Sequence, residues 1–221
     1  MLDRLIAAIA PHHCSDCGQI GSIFCANCKN NYTARSFDGC VSCGRLTVSG
    51  ICDKCRTYYD KAWCVGWRNN GLKSLIDKYK FQFAIAASTP LADMLSSALP
   101  DLPRQSVIVP IPTVSHHIRR RGFDHSLLIA RKLAKRRKLP LQQLLVRRTK
   151  DIQHTATSSK QRLDQAKKAF EVRGEVDPDK IYVLIDDIVT TGATISYGAK
   201  ALKDAGALYV FVAVVARQPL D

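Results

Sequence analysis

The stretch Val183-Leu-Ile-Asp-Asp-Ile-Val-Thr-Thr-Gly-Ala-Thr194 constrains the fold more than any other part of the chain. Tyr182 to Ile185 is a short apolar run rich in β-branched residues, the pattern of a buried strand. Two carboxylates, Asp186 and Asp187, come at its end, followed by the small, hydroxyl-rich Thr190-Thr191-Gly192-Ala193-Thr194. Ile195 to Ala205 then has helical spacing and closes at Gly206. A strand, a hydroxyl–glycine loop and a helix N-terminus together make an anion site. Backbone N–H groups and the helix dipole face a phosphate, and Gly192 admits close approach. Neither Gly-x-x-x-x-Gly-Lys nor Gly-x-Gly-x-x-Gly occurs. The paired acids therefore have another task, and the vicinal hydroxyls of a ribose, or Mg²⁺, suit them. The alternative is a structural turn that merely carries two acids. It is disfavoured, because adjacent acids on a buried strand cost desolvation unless a cation or hydroxyl meets them.

This stretch closely resembles the 5-phosphoribosyl-1-pyrophosphate (PRPP) motif of type I phosphoribosyltransferases. The resemblance implies that Asp186 and Asp187 hold ribose hydroxyls. It implies that Thr190, Thr191, Gly192, Ala193 and Thr194 hold the 5′-phosphate, with Mg²⁺ as a companion of PRPP.

Eight of the nine cysteines fall in four Cys-x-x-Cys knuckles: Cys14/Cys17, Cys25/Cys28, Cys40/Cys43 and Cys52/Cys55. Each places two thiolates on one tight turn, which suits tetrahedral Zn²⁺. Eight thiolates fill two such sites. Sequential and crossed pairing both satisfy the count, and so does one filled site, so the expectation is one or two structural Zn²⁺. A thioredoxin-like redox pair is the competing reading, and four knuckles without a surrounding βαβ pattern argue against it. A segment this short and poor in large apolar residues needs metal to fold. Cys64 lies in the apolar run Ala62 to Trp67 and reads as a core thiol. His12 and His13 read as bystanders.

The chain has 221 residues, 46% hydrophobic and 24% charged, which suits one medium domain or two small ones. No apolar run approaches the ~20 residues that span a bilayer. Leu2 to Ala10 reads as a short amphipathic helix, too short and too charged for a signal peptide. The expected location is the cytoplasm, without membrane insertion. The net charge of +14 is unevenly spread. Up to Asp60 the signs nearly balance, whereas His116 to Lys150 holds twelve Lys or Arg against one acid, Asp124. A field of that sign attracts polyanions such as nucleic acid, PRPP or nucleotides.

Further along, Asn70 to Phe83, Pro90 to Leu99 and Phe123 to Lys138 have helical spacing. Ala62 to Trp67, Ser106 to Val109, Lys180 to Ile185 and Leu208 to Ala216 read as strands. Lys150 to Gln165 reads as a flexible loop leading into a short helix. Strands alternating with helices predict an α/β fold with a mostly parallel sheet flanked by helices. The cysteine segment, residues 1–60, precedes it as a small module, and residues 61–221 form the α/β domain.

A second stretch carries chemistry: Val109-Pro-Ile-Pro-Thr-Val-Ser-His-His-Ile-Arg-Arg-Arg-Gly-Phe-Asp-His-Ser126. A strand ends in a proline-stiffened turn, and Arg119, Arg120 and Arg121 follow before a helix. Guanidinium forks suit phosphate, so these arginines are candidates for pyrophosphate or nucleic acid, against a plain solvated helix start. Val-Pro-x-Pro followed by Arg-x-Arg-Gly-Phe resembles the ComF/GntX family, linked to competence for DNA uptake. Lys80-Phe81, Thr149, Gln153, Arg162 and Phe170 match further elements of that family. Asp124-His125 stands where the family has Asn-Gln, and Gln165 where it has Asn. His125 is expected either to add a cation at low pH or to cap the helix.

The resemblance implies a zinc-ribbon module joined to a type I phosphoribosyltransferase-like domain. It also implies a role in natural transformation, handling single-stranded DNA and binding PRPP or a related ribose phosphate. DNA-uptake and recombination proteins are the implied partners. Trp63, Trp67, Tyr79 and Phe123 are candidate stacking platforms for bases, with core packing as the plainer reading. The runner-up function is an active phosphoribosyltransferase whose acceptor the sequence does not name.

Overall fold

A computed structural model describes residues 12–35, 37–147 and 169–219. The expected helix at Leu2 to Ala10 and the loop at Lys150 to Gln165 lie outside the described residues. So do the family matches at Thr149, Gln153 and Arg162, and the departure at Gln165.

In chain order the elements are α1 (Ala26–Thr33), β1 (Lys61–Trp67), α2 (Asn70–Phe81), a 3₁₀ turn (Ile85–Ala87) and α3 (Ser88–Ala98). Then follow β2 (Ser106–Pro110), α4 (Ser115–Arg121), α5 (His125–Arg137), β3 (Leu145–Arg147) and β4 (Phe170–Val172). The chain closes with β5 (Ile181–Val189), α6 (Ala193–Asp204) and β6 (Tyr209–Arg217). Four strands form one parallel sheet in the order β1-β6-β5-β2, and β3 and β4 pair antiparallel beside it. The short β3–β4 pair has no counterpart in the sequence reading, because three-residue strands carry too little periodicity to register.

The sheet is buried on both faces, as parallel sheets are. Along β5 and β6 the residues alternate between two cores. Val183, Ile185, Ala213 and Val215 meet Leu72, Leu91, Leu95, Ile129 and Leu133 of α2, α3 and α5. Tyr182, Leu184, Val212 and Val214 meet Ile195, Ala199 and Leu202 of α6 on the opposite face. This period of two is the pleat expressed as packing.

The cysteine segment is built into both cores. Cys14, Cys25 and Cys28, with Ile23 and Phe24, join the core of α2, α3 and α5. Val41 and Tyr59 join the core of α6. The ammonium of Lys29 reaches Asp93 of α3 at 3.0 Å, and the Tyr32 hydroxyl accepts from Leu72 N at 3.2 Å. Among the described residues no helix is long and apolar enough to cross a membrane.

Candidate functional site

β5 extends further than the expected end at Ile185. Its ladder to β2 ends at the Pro110–Ile185 pair, but its ladder to β6 continues to Val189. Asp186 and Asp187 therefore sit inside a strand that has just lost one neighbour. A cleft opens there, at the carboxyl end of the parallel strands, where α/β folds bind ligands. It encloses about 410 Å³. Asp186, Asp187, Thr190 and Thr194 line one side, and the turn Ile111 to Val114 lines another.

Both acids are buried, at 9% and 5% exposure, and each has a partner. The Ser126 hydroxyl donates to Asp186 Oδ1 at 2.9 Å, as does the Asp187 amide. Lys80, at the end of α2, pairs with Asp187 Oδ1 at 2.9 Å. Burial first, and then the Asp187 charge, push the Asp186 carboxyl well above the usual carboxylate range. The desolvation cost foreseen for two adjacent acids is met by one hydroxyl and one ammonium, both from distant parts of the chain.

The facing wall is cationic. Arg121 lines the cleft and stacks over Phe81, 5.1 Å from the ring centroid. Arg147 also lines it, stacked over Phe170 at 5.0 Å, and its Nε donates to Pro112 O at 2.9 Å. Burial lowers the pKa of Arg147, while the Asp186 charge opposes that. Arg119 and Arg120 are exposed and do not line the cleft. Of the three neighbouring arginines only Arg121 meets the acids' cleft, because one turn of α4 carries the other two outward. Lys80, Ser126 and Arg147 had no assigned role in the sequence reading. Lys80 is marked there only as part of the Lys80-Phe81 family element, and Arg147 only as part of the basic stretch. The need of buried acids for partners names a chemistry but no position.

Asp124 caps α5. Its Oδ1 accepts from Leu127 N at 3.0 Å, and the same carboxylate accepts from the Thr113 hydroxyl at 2.9 Å and the Thr113 amide at 3.2 Å. One side chain thus caps a helix and fixes the turn over the cleft. His125 plays neither role expected of it. It is the first residue of α5, 1% exposed, its ring packed between Tyr79 and Phe123. Burial lowers its pKa to about 4, so it stays neutral at ordinary pH. Tyr79 is fully buried and its hydroxyl donates to His125 O at 2.9 Å, which makes it core rather than a stacking platform. Phe123 packs on the same core, and Trp63 and Trp67 are half-buried.

At the anion loop Gly192 has φ +75° and precedes α6. Thr191 and Ala193 are exposed and Gly192 is buried. The close approach that Gly192 permits is to the cysteine segment. A Cβ there would lie 2.6 Å from Ser42 Oγ and 2.9 Å from Ser42 Cα.

The knuckles pair sequentially. Cys14, Cys17, Cys25 and Cys28 form one group, and Cys40, Cys43, Cys52 and Cys55 the other, with every sulfur in a group within 4.8 Å of the rest. Cys17 and Cys25 sulfurs are 3.7 Å apart, and Cys43 and Cys52 sulfurs 3.6 Å. A tetrahedron with ~2.3 Å metal–sulfur bonds has edges of about 3.8 Å, whereas a disulfide needs ~2.05 Å. Both groups therefore fit a four-thiolate metal site. Cys64 lies outside both groups, buried, donating to Gly66 O at 3.3 Å.

Comparison with known proteins agrees with this geometry. The family model described as phosphoribosyl transferase domain matches residues 123–221. Competence protein F of Haemophilus influenzae is 29% identical over 199 residues, covering 82% of this chain and 85% of that protein. Over most of its length the chain is similar to the ComF competence proteins. Competence protein ComFC of Streptococcus pneumoniae is 28% identical, with 84% of each chain covered. ComFC of Bacillus subtilis is 24% identical, covering 82% of this chain and 78% of that one. The domain match begins at Phe123, so it takes in Asp124, Ser126 and both acids, while Lys80 and the cysteine groups lie ahead of it.

Proposed function

We propose that this chain acts in natural transformation, binding PRPP or a related ribose phosphate in the cleft and single-stranded DNA along its basic face. The observation that carries the ligand reading is the buried pair Asp186/Asp187, partnered by Ser126 and Lys80, beside the Thr190–Thr194 loop at the start of α6. The acids accept the two ribose hydroxyls or hold Mg²⁺, and the loop amides receive the 5′-phosphate. Arg121 and Arg147 give the pyrophosphate a cationic wall. The exposed Arg119 and Arg120 belong to the basic stretch from His116 to Lys150, which suits a sequence-independent polyanion. The relatives' names supply the setting, competence, and the cytoplasm is the compartment proposed for it.

Two Zn²⁺ ions are proposed for the cysteine groups, one in each. Bound there, zinc cross-links segments that have little core of their own. The cysteines hold the metal, and Val41, Ile23 and Phe24 seat the groups in the cores.

Calorimetric titration of the zinc-loaded chain with PRPP, with and without Mg²⁺, tests the ligand reading. Replacing Asp186 and Asp187 together by Asn is expected to weaken binding at least about tenfold, roughly one charge-assisted contact. Unchanged affinity would move the ligand elsewhere. A second reading, transfer of phosphoribosyl to an acceptor, is favoured by the cationic wall facing the acids, which suits a departing pyrophosphate. In that reaction the C1–O bond to pyrophosphate breaks, and an acceptor nucleophile forms the new bond to C1. Pyrophosphate release that depends on an added base would favour it over simple binding.

A further inference from the structure

Arg217 ends β6 and is fully buried. Its Nη1 donates to Val189 O at 3.2 Å, to Gln218 O at 3.0 Å and to Thr190 O. One arm of the guanidinium thus ties down the entry to the Thr190–Thr194 loop. The other arm points elsewhere. Nη2 and Nε are buried, and among the described residues neither has a hydrogen-bond partner. A Cβ on Gly44, the residue after Cys43, would lie 3.7 Å from Nη2. The thiols of Cys43 and Cys40 lead the groups that favour the guanidinium charge, against its burial. The second contact between the same two loops is Ser42, between these cysteines in sequence, pressed on Gly192.

A buried guanidinium does not deprotonate, so its charge must be compensated in place. Among the described residues its hydrogen-bond partners are backbone carbonyls and no carboxylate. Four thiolates around a divalent ion carry a net charge of −2 and still accept hydrogen bonds on sulfur. That negative charge, beside Gly44, offsets the free arm through space. The first cysteine group has no such link to the loop: it packs in the core on the other face of the sheet.

We propose that Arg217 is a positioning residue that couples the second four-cysteine site to the anion loop. Metal at Cys40, Cys43, Cys52 and Cys55 holds one arm, the other arm holds the carbonyls of Val189 and Thr190, and ribose-phosphate affinity follows metal occupancy. The inference rests on the ribose-phosphate reading of the cleft. It makes the cysteine segment part of the binding device and assigns the two metal sites different duties.

Linkage supplies the test. If metal at the second site raises PRPP affinity, PRPP must raise metal affinity there by the same factor. The wild-type chain, loaded with two Zn²⁺, is challenged with a zinc-selective chromogenic chelator with and without PRPP. One of the two ions is expected to resist removal about tenfold better when PRPP is bound, and the other to be indifferent. In the cobalt-substituted chain the thiolate absorption bands are expected to shift on adding PRPP. Arg217→Met should keep both metals, bind PRPP about tenfold more weakly and lose the cobalt response, and Arg217→Lys should recover part of each. PRPP that binds the wild type yet leaves the release of both ions and the cobalt bands unchanged overturns the coupling while the ligand reading stands. A wild-type chain that does not bind PRPP overturns both, starting with the ligand reading.

Discussion

The ammonium of Lys80, at the end of α2, lies 2.9 Å from Oδ1 of Asp187 on the inner strand β5. Their side chains are only 17% and 8% exposed, so the pair is drawn largely out of water. Breaking such a pair leaves one buried charge without compensation, which costs about 3–5 kcal/mol. Lys80→Met is therefore expected to destabilise the chain by about that amount in chemical denaturation. Combining it with Asp187→Asn should recover most of the loss, because the double variant buries no orphan charge. A Lys80→Met chain as stable as wild type would show that the pair is not held in solution.

Asp186 works the other way. Its folded-state pKa lies above the ordinary 3.8, so above that value the folded chain holds its proton longer than the unfolded chain does. Stability tied to this group is lost as pH rises through the raised folded value. Asp186→Asn keeps an oxygen for Ser126 and the Asp187 amide and removes the charge. It should raise the melting temperature, more at about pH 8 than at about pH 5, by about 2–4 °C per kcal/mol recovered. Ribose-phosphate affinity should fall in the same variant. A melting temperature that drops at about pH 8 would contradict the burial cost.

His125 sets an acid limit. Its pKa falls from 6.5 to about 4 on folding, so between those values the unfolded chain binds the extra proton. The neutral ring contributes stability fully above ~6.5, and this is lost as pH falls towards 4. His125→Phe, which keeps a ring between Tyr79 and Phe123, is expected to flatten the stability–pH curve in that window. Identical slopes for the two chains would place the acid sensitivity elsewhere.

The three arginines of α4 are separable. Arg119 and Arg120 face solvent and Arg121 lines the cleft. Replacing Arg119 and Arg120 by Ala should weaken single-strand binding and flatten its salt dependence by about 1.4 in the log–log slope, the value for two lost phosphate contacts. PRPP affinity should stay put. Arg121→Ala should show the reverse priority, losing PRPP affinity first. Anisotropy titrations with a short oligonucleotide over a salt series separate these outcomes, and a double variant with the wild-type slope would remove both residues from DNA handling.

Metal removal is expected to affect the whole chain. Cys14, Cys25 and Cys28 belong to one core of the sheet, and Val41, beside Cys40, to the other. Chelation should therefore lower the melting of the sheet along with that of the cysteine segment, in one broadened or shifted transition. A calorimetric trace in which the main transition keeps its temperature after full metal removal would mean that the sheet stands without the cysteine groups.

The sequence by itself determined what is local. The apolar, β-branched run before Asp186 specified a buried strand, Gly192 a point of close backbone approach, and four two-cysteine knuckles the thiolates for one or two metal sites. These features depend on spacing within a few residues, and spacing is what a sequence displays. Two end-effects escaped it: β5 runs past the acids to Val189, and His125 is buried rather than capping. Strand length follows the neighbour that continues the ladder, here β6, and a histidine's state follows what packs around it. Tertiary structure alone decided which distant groups answer the buried acids: Lys80 from α2 and Ser126 from α5. It also decided which knuckles share a site, that only Arg121 of its cluster reaches the cleft, and that Arg217 lies between a cysteine group and the anion loop. The reason is the same each time. A buried charge states that it needs a partner, but only the packing of helices on the two faces of the sheet brings one within reach.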